Sequence, residues 1–112
     1  MGFGIEEATQ FARALATIAH ARHLAVGQKN TPQLGAERAA MVGFDFAVSE
    51  ECARYAECDA YRNVYGDHVL DIEYDRPSFD ITCREVGLVA SVVLRDRQVF
   101  RPGSATYQQA NC

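Results

Sequence analysis

The chain has 112 residues, enough for one domain, and an apolar share of 48% that excludes a disordered composition. Eleven lysines and arginines against fifteen aspartates and glutamates leave a net charge of -4, which argues against a nucleic-acid partner. No apolar run approaches the roughly 18 residues needed to cross a bilayer, so no membrane span is expected.

Residues 5–20 carry Ile5, Ala8, Phe11, Ala12, Leu15, Ile18 and Ala19 at three- and four-residue spacing, which predicts an amphipathic helix packed on one side. Leu24 to Gln28 reads as a buried strand with Lys29 and Asn30 at its exit. Pro32 and the helix-favouring run from Ala36 to Met41 predict a short helix. Phe44 to Val48 reads as the second strand, with Glu50 and Glu51 just past its end. Cys52 to Tyr65 reads as a helix stopped near Gly66, and residues 68–74, HVLDIEY, as the third strand. A helix opened by Pro77 runs to about Val86, and Leu88 to Leu94 is the fourth strand. The tail RDRQVFRPGSATYQQANC has no firm period and contains a Pro-Gly turn.

Short apolar strands alternating with helices predict an α/β fold with a parallel sheet. Right-handed crossovers put the C-terminal ends of all strands on one side. Lys29, Asn30, Glu50, Glu51, Glu73, Tyr74 and Arg95 fall at or beyond such ends, as on the active-site rim of a (β/α) barrel or an open α/β sheet. Four strands cannot close a barrel, and the expectation is two bare sheet edges.

Paired carboxylates on one rim are what glycosidic cleavage requires, and Glu50 with Glu73 is one candidate pair. Either could instead bind sugar hydroxyls or ligand amines. Lys29 could contact substrate or lower a neighbouring carboxylate's pKa. Arg95 and Asp96 read more simply as a surface ion pair. His20, His23 and His68 form no metal signature, and the six-residue spacing of Cys52 and Cys58 matches no zinc pattern, so no metal is expected. That spacing permits a small disulfide. Four cysteines in so short a chain point to an oxidising compartment, although MGFGIEEATQ lacks the basic and apolar regions of a secretion signal.

The series GQKN (27–30), SEEC (49–52), YAECDAY (55–61) and IEY (72–74) resembles the endo-α-1,4-polygalactosaminidases of glycoside hydrolase family 114. The resemblance covers roughly residues 8–96 in order and spacing. It implies a secreted or lipid-anchored (β/α)8 TIM-barrel protein, of which residues 1–112 would be the C-terminal half, strands five to eight. It implies that Glu50 matches the proposed catalytic glutamate, that Lys29, Asn30, Glu73 and Tyr74 match the substrate pocket, and that Cys52 and Cys58 form a disulfide. Cys83 and Cys112 are expected to form a second. No metal or organic cofactor is implied. The substrate expected is an α-1,4-linked, galactosamine-containing polysaccharide, for which an acidic protein suits a cationic polymer.

Two residues depart from the family pattern. Ser49 stands where the family has asparagine, and Gln28 replaces leucine. The family's partner aspartate, at the end of strand four, has no counterpart before residue 5. These departures leave a non-catalytic carbohydrate-binding relative, or an inactive truncated product, as alternatives. For the 112 residues alone, self-association and no hydrolysis are expected.

Overall fold

A computed structural model describes residues 2–112. Helix α1 (Ile5–His20) precedes strand β1 (Gly27–Lys29), and a 3-10 turn (Pro32–Leu34) leads into α2 (Gly35–Val42). Then follow β2 (Phe46–Glu50), α3 (Cys58–Tyr65), β3 (Val69–Glu73), α4 (Arg76–Val86), β4 (Ser91–Arg95) and β5 (Gln109–Asn111). The sheet order is β1-β2-β3-β4-β5; the first four strands are parallel, and β5 is antiparallel to β4.

Local chemistry sets the helix ends. Glu7 accepts the Gly4 N–H at 3.0 Å, and acidic Glu6 and Glu7 sit where the helix dipole favours negative charge. The Asp75 carboxylate accepts the Ser78 N–H at 2.9 Å, and Pro77 occupies the first turn of α4, where a missing N–H is harmless. Helix α2 stops at Gly43, whose φ of +88° is the left-handed conformation of a helix C-cap. Helix α1 buries Thr9 and Ala16, whose small side chains let α2 approach closely. The large residues Phe11, Leu15 and Ile18 stay exposed, so the apolar stripe read from the sequence is not the face that packs.

The two faces of the sheet differ. Ala47 and Ser49, Val69, Asp71 and Glu73, and Val92 and Leu94 are buried, joining Tyr61, Tyr65, Phe79 and Val86 of the helices in one strand–helix layer. Each large apolar side chain sealed there contributes on the order of 2 kcal/mol. The alternate residues Phe46, Val48, Glu50, Leu70, Ile72, Val93 and Arg95 are only partly covered and form the opposite face. Gly27 belongs to that face; a Cβ there would come within 2.5 Å of the Phe46 ring, which lies close against the backbone and would have to turn aside.

Four expectations are corrected. The tail is not structureless at its end: β5 pairs Asn111, Ala110 and Gln109 with Val93, Leu94 and Arg95, which covers the edge expected to be bare. Three residues reading Gln-Ala-Asn carry no alternation from which a strand could be inferred. The helix expected from Cys52 begins at Cys58, because residues 51–56 form a turn with positive φ at Glu51 and Ala56. Leu24 and Leu88 are exposed ahead of their strands, which start later, at Gly27 and Ser91. Both disulfides form, Cys52–Cys58 tethering that turn to α3 and Cys83–Cys112 tying the tail to α4.

Candidate active site

The C-terminal ends of β1, β2 and β3 bring together Lys29, Asn30, Glu50 and Tyr74. The Glu50 carboxylate, about one-third exposed, receives the Lys29 ammonium at 2.8 Å and the Asn30 amide Nδ2 at 2.9 Å on Oε2. Its other oxygen accepts the Tyr74 hydroxyl. Three donors on one anion hold the Glu50 pKa down to about 2, with Lys29 the largest contributor, then Tyr74 and Asn30. Glu50 is therefore ionised at neutral pH, and burial pushes Tyr74 up to about 12, so the phenol keeps the proton it donates.

Asn30 is held from both sides. Its Oδ1 accepts the Glu50 backbone N–H at 3.1 Å while its Nδ2 donates to the same residue's carboxylate, which fixes the amide's orientation. Asn30 and Thr31 have φ of +56° and +67°; asparagine tolerates this region, but a β-branched threonine is strained there. Gln28 holds the pair in place. Its buried amide donates to the carbonyls of Asn30 and Thr31 at 2.8 and 2.9 Å, and its oxygen accepts the Tyr65 hydroxyl at 2.6 Å. The Gln28 amide thus braces the turn that aims Asn30.

Glu73, expected among the substrate-binding residues, is turned away from the rim. Its side chain is 0% exposed and lies in the strand–helix layer, where Oε1 accepts the Thr82 hydroxyl at 2.9 Å and the Ala53 N–H at 3.3 Å. Asp71 lies beside it, accepting the Ser49 hydroxyl at 2.5 Å and the Cys52 N–H at 3.4 Å on Oδ1. The remaining oxygens, Asp71 Oδ2 and Glu73 Oε2, are buried without another partner. A proton shared between the two carboxyls would satisfy both. Burial foremost, then the neighbouring carboxyl, raises Glu73 to about 7, and burial raises Asp71 as well. Ligand atoms of Cys52, Asp71 and Glu73 lie within 4.8 Å of one another, with the cysteine sulfur bonded to Cys58. Ser49 serves this buried pair and does not face the rim.

Glu51, a strand-end residue in the sequence, is joined at the rim by Arg97, which was not foreseen there. Glu51, nearly buried, accepts Arg54 at 2.9 Å and Arg97 at 2.7 Å on one oxygen, and the Arg97 guanidinium lies 4.5 Å from the centre of the Tyr74 ring. Arg97 sits in the tail 46 residues from Glu51, and no local pattern announces that contact. Arg95 and Asp96 do pair, at 3.5 Å, but Asp96 also accepts the N–H groups of Phe100 and Gln108, so it organises the tail loop as well.

Comparison with known proteins places this geometry. The fold matches a crystal structure of Aspergillus fumigatus Ega3 in complex with galactosamine, with a TM-score of 0.76 at 22% identity. The match covers 98% of this chain and 47% of that one, so the chain spans about half of the solved protein and has the fold of part of a (β/α) barrel. No curated protein matches. The sequence profile of glycoside-hydrolase family GH114 matches residues 1–112. The chain belongs to glycoside hydrolase family 114.

Proposed function

We propose that this chain supplies strands five to eight of a secreted (β/α)8 glycoside hydrolase acting on an α-1,4-linked, galactosamine-containing polysaccharide, with Glu50 as one catalytic carboxylate. The observation that carries the reading is the convergence of Lys29, Asn30 and Tyr74 on Glu50 at the C-terminal ends of three adjacent parallel strands, the place where barrel enzymes do chemistry. Family membership adds the reaction class, and the galactosamine in the Ega3 crystal adds the sugar. Two disulfides fit an oxidising, extracellular setting.

As held here, Glu50 can attack or accept a proton but has none to give. Cleavage needs a second carboxylate facing it, contributed by residues outside the 112. That partner's negative charge would raise the proton affinity of Glu50, and a substrate hydroxyl or amine would compete for Lys29. The partner therefore decides which of the two protonates the leaving oxygen. Lys29, Asn30 and Tyr74 would orient Glu50 and contact the sugar. The binding-only alternative drew on Ser49, and Ser49 lies in the strand–helix layer with no contact to the rim.

The test is turnover of a complete barrel containing this segment on α-1,4-galactosaminan, followed by reducing-sugar release. Glu50→Gln is expected to lower it at least roughly 100-fold. Near-unchanged turnover would remove Glu50 from the chemistry.

A further inference from the structure

We infer that Arg97 is a positioning residue that acts on Glu50 through Tyr74, so that the C-terminal tail forms part of the active-site frame.

The contacts run in one line. The Tyr74 hydroxyl donates to Glu50 Oε1. The Arg97 guanidinium lies 4.5 Å from the centre of the Tyr74 ring. A guanidinium stacks on a ring with its flat face while its edge stays free to donate. Here the edge donates to Glu51 Oε1 at 2.7 Å. Glu51 is itself fixed, with φ of +54° directly after Glu50, its N–H bonded to the Ile72 carbonyl at 2.9 Å, and its side chain nearly buried. Arg97 thus closes a bracket whose two feet are the residue after Glu50 and the phenol that binds Glu50.

The tail is built to hold that bracket. Asp96 accepts the N–H groups of Phe100 at 2.7 Å and Gln108 at 3.2 Å, which folds the loop back on itself. Arg95 donates to the carbonyls of Gln108 and Phe100, β5 pairs with β4, and Cys112 is bonded to Cys83. Among the described residues, the charged and titratable groups around Glu50 are Lys29 from β1, Glu51 beside it, Asp71 of β3 on the sheet's other face, Tyr74 beyond β3, and Arg54, Asp75 and Arg97 further out. Arg97 is the member of this set contributed by the tail.

The inference rests on the reading of Glu50 as catalytic only for its effect on turnover, so the test reads Glu50 directly. Carboxyl-carbon NMR of Glu50 is recorded against pH in a complete barrel carrying this segment, without substrate. Tyr74→Phe is expected to raise the midpoint by about one pH unit, because a donor to the anion is lost. Arg97→Gln is expected to raise it too, and the double variant to go no further than Tyr74→Phe alone. A charge effect of Arg97 independent of Tyr74 would add instead, and additive shifts would overturn the inference. So would an unmoved midpoint in Arg97→Gln. Should that variant not fold, Arg97→Lys keeps the charge and loses the flat stack; a rise supports the bracket and an unchanged midpoint overturns it. Normal hydrolysis by Glu50→Gln would defeat the catalytic reading alone and leave the titration result standing.

Discussion

Glu50 and Glu73 are the final residues of adjacent parallel strands, yet they meet opposite environments. In the register of β2 and β3, Glu50 lies opposite Ile72, so Glu73 is one residue further along and projects from the other face. Glu50 meets an ammonium, an amide and a phenol at a partly open rim and stays an anion. Glu73 meets Thr82, a backbone N–H and Asp71 in a sealed layer and holds a proton up to about pH 7. A strand-end glutamate is thus not a site by position alone. Its face decides whether it serves chemistry or packing.

The largest expected effect separates the two by activity. Glu50→Gln should cost at least roughly two orders of magnitude in turnover. Glu73→Gln, which keeps the shape and the bond from Thr82, should retain most of it. A comparable loss in a folded Glu73→Gln protein would place both carboxyls in the reaction and break the contrast.

Stability should sort them the other way. Glu73→Ala leaves the Ala53 N–H and Asp71 Oδ2 without a partner in a closed layer, while the Thr82 hydroxyl keeps the Ser78 carbonyl, a loss of roughly 2 kcal/mol. Glu50→Ala removes contacts at a partly solvated rim and should cost roughly 1 kcal/mol or less. Urea midpoints at one pH decide the matter, and a larger loss for Glu50→Ala would reverse the assignment.

Opposite pKa directions give opposite pH dependences. Between 4.5 and about 7 the folded chain keeps a proton on Glu73 that the unfolded chain releases, so this group makes stability fall as pH rises through that window. Between about 2 and 4.5 the unfolded chain holds a proton that Glu50 has lost, so that group makes stability fall as pH drops. Glu73→Gln should flatten the upper slope and Glu50→Gln the lower. Denaturation midpoints across pH 2–8 that changed slope in the wrong window would contradict the environments described above.

The smallest effect sharpens the role of the buried pair. Ser49→Ala removes a donor from Asp71 and should cost about 1 kcal/mol with turnover nearly intact. If catalysis fell while stability held, Ser49 would belong to the rim after all.

Much of this was legible in the sequence. The alternation of apolar runs and helical stretches was enough to indicate four parallel strands and their common rim, because strand and helix periods are local properties of the chain. The element order put Lys29, Asn30, Glu50 and Tyr74 at strand ends, the family resemblance grouped them as one site, and both disulfide pairings match the expectation. The side of the sheet on which Glu73 and Ser49 fall was not legible. In β3 the polar Asp71 and Glu73 alternate with Leu70 and Ile72, a pattern that reads as polar-outward, yet the polar side is the one the helices cover. Only the register against β2, with helices α3 and α4 closing over one face, decides it. The same holds for β5 and Arg97, which gain their roles from partners many residues away. A three-residue strand and a lone arginine have no period to read, and tertiary packing alone brings them to the Glu50 rim.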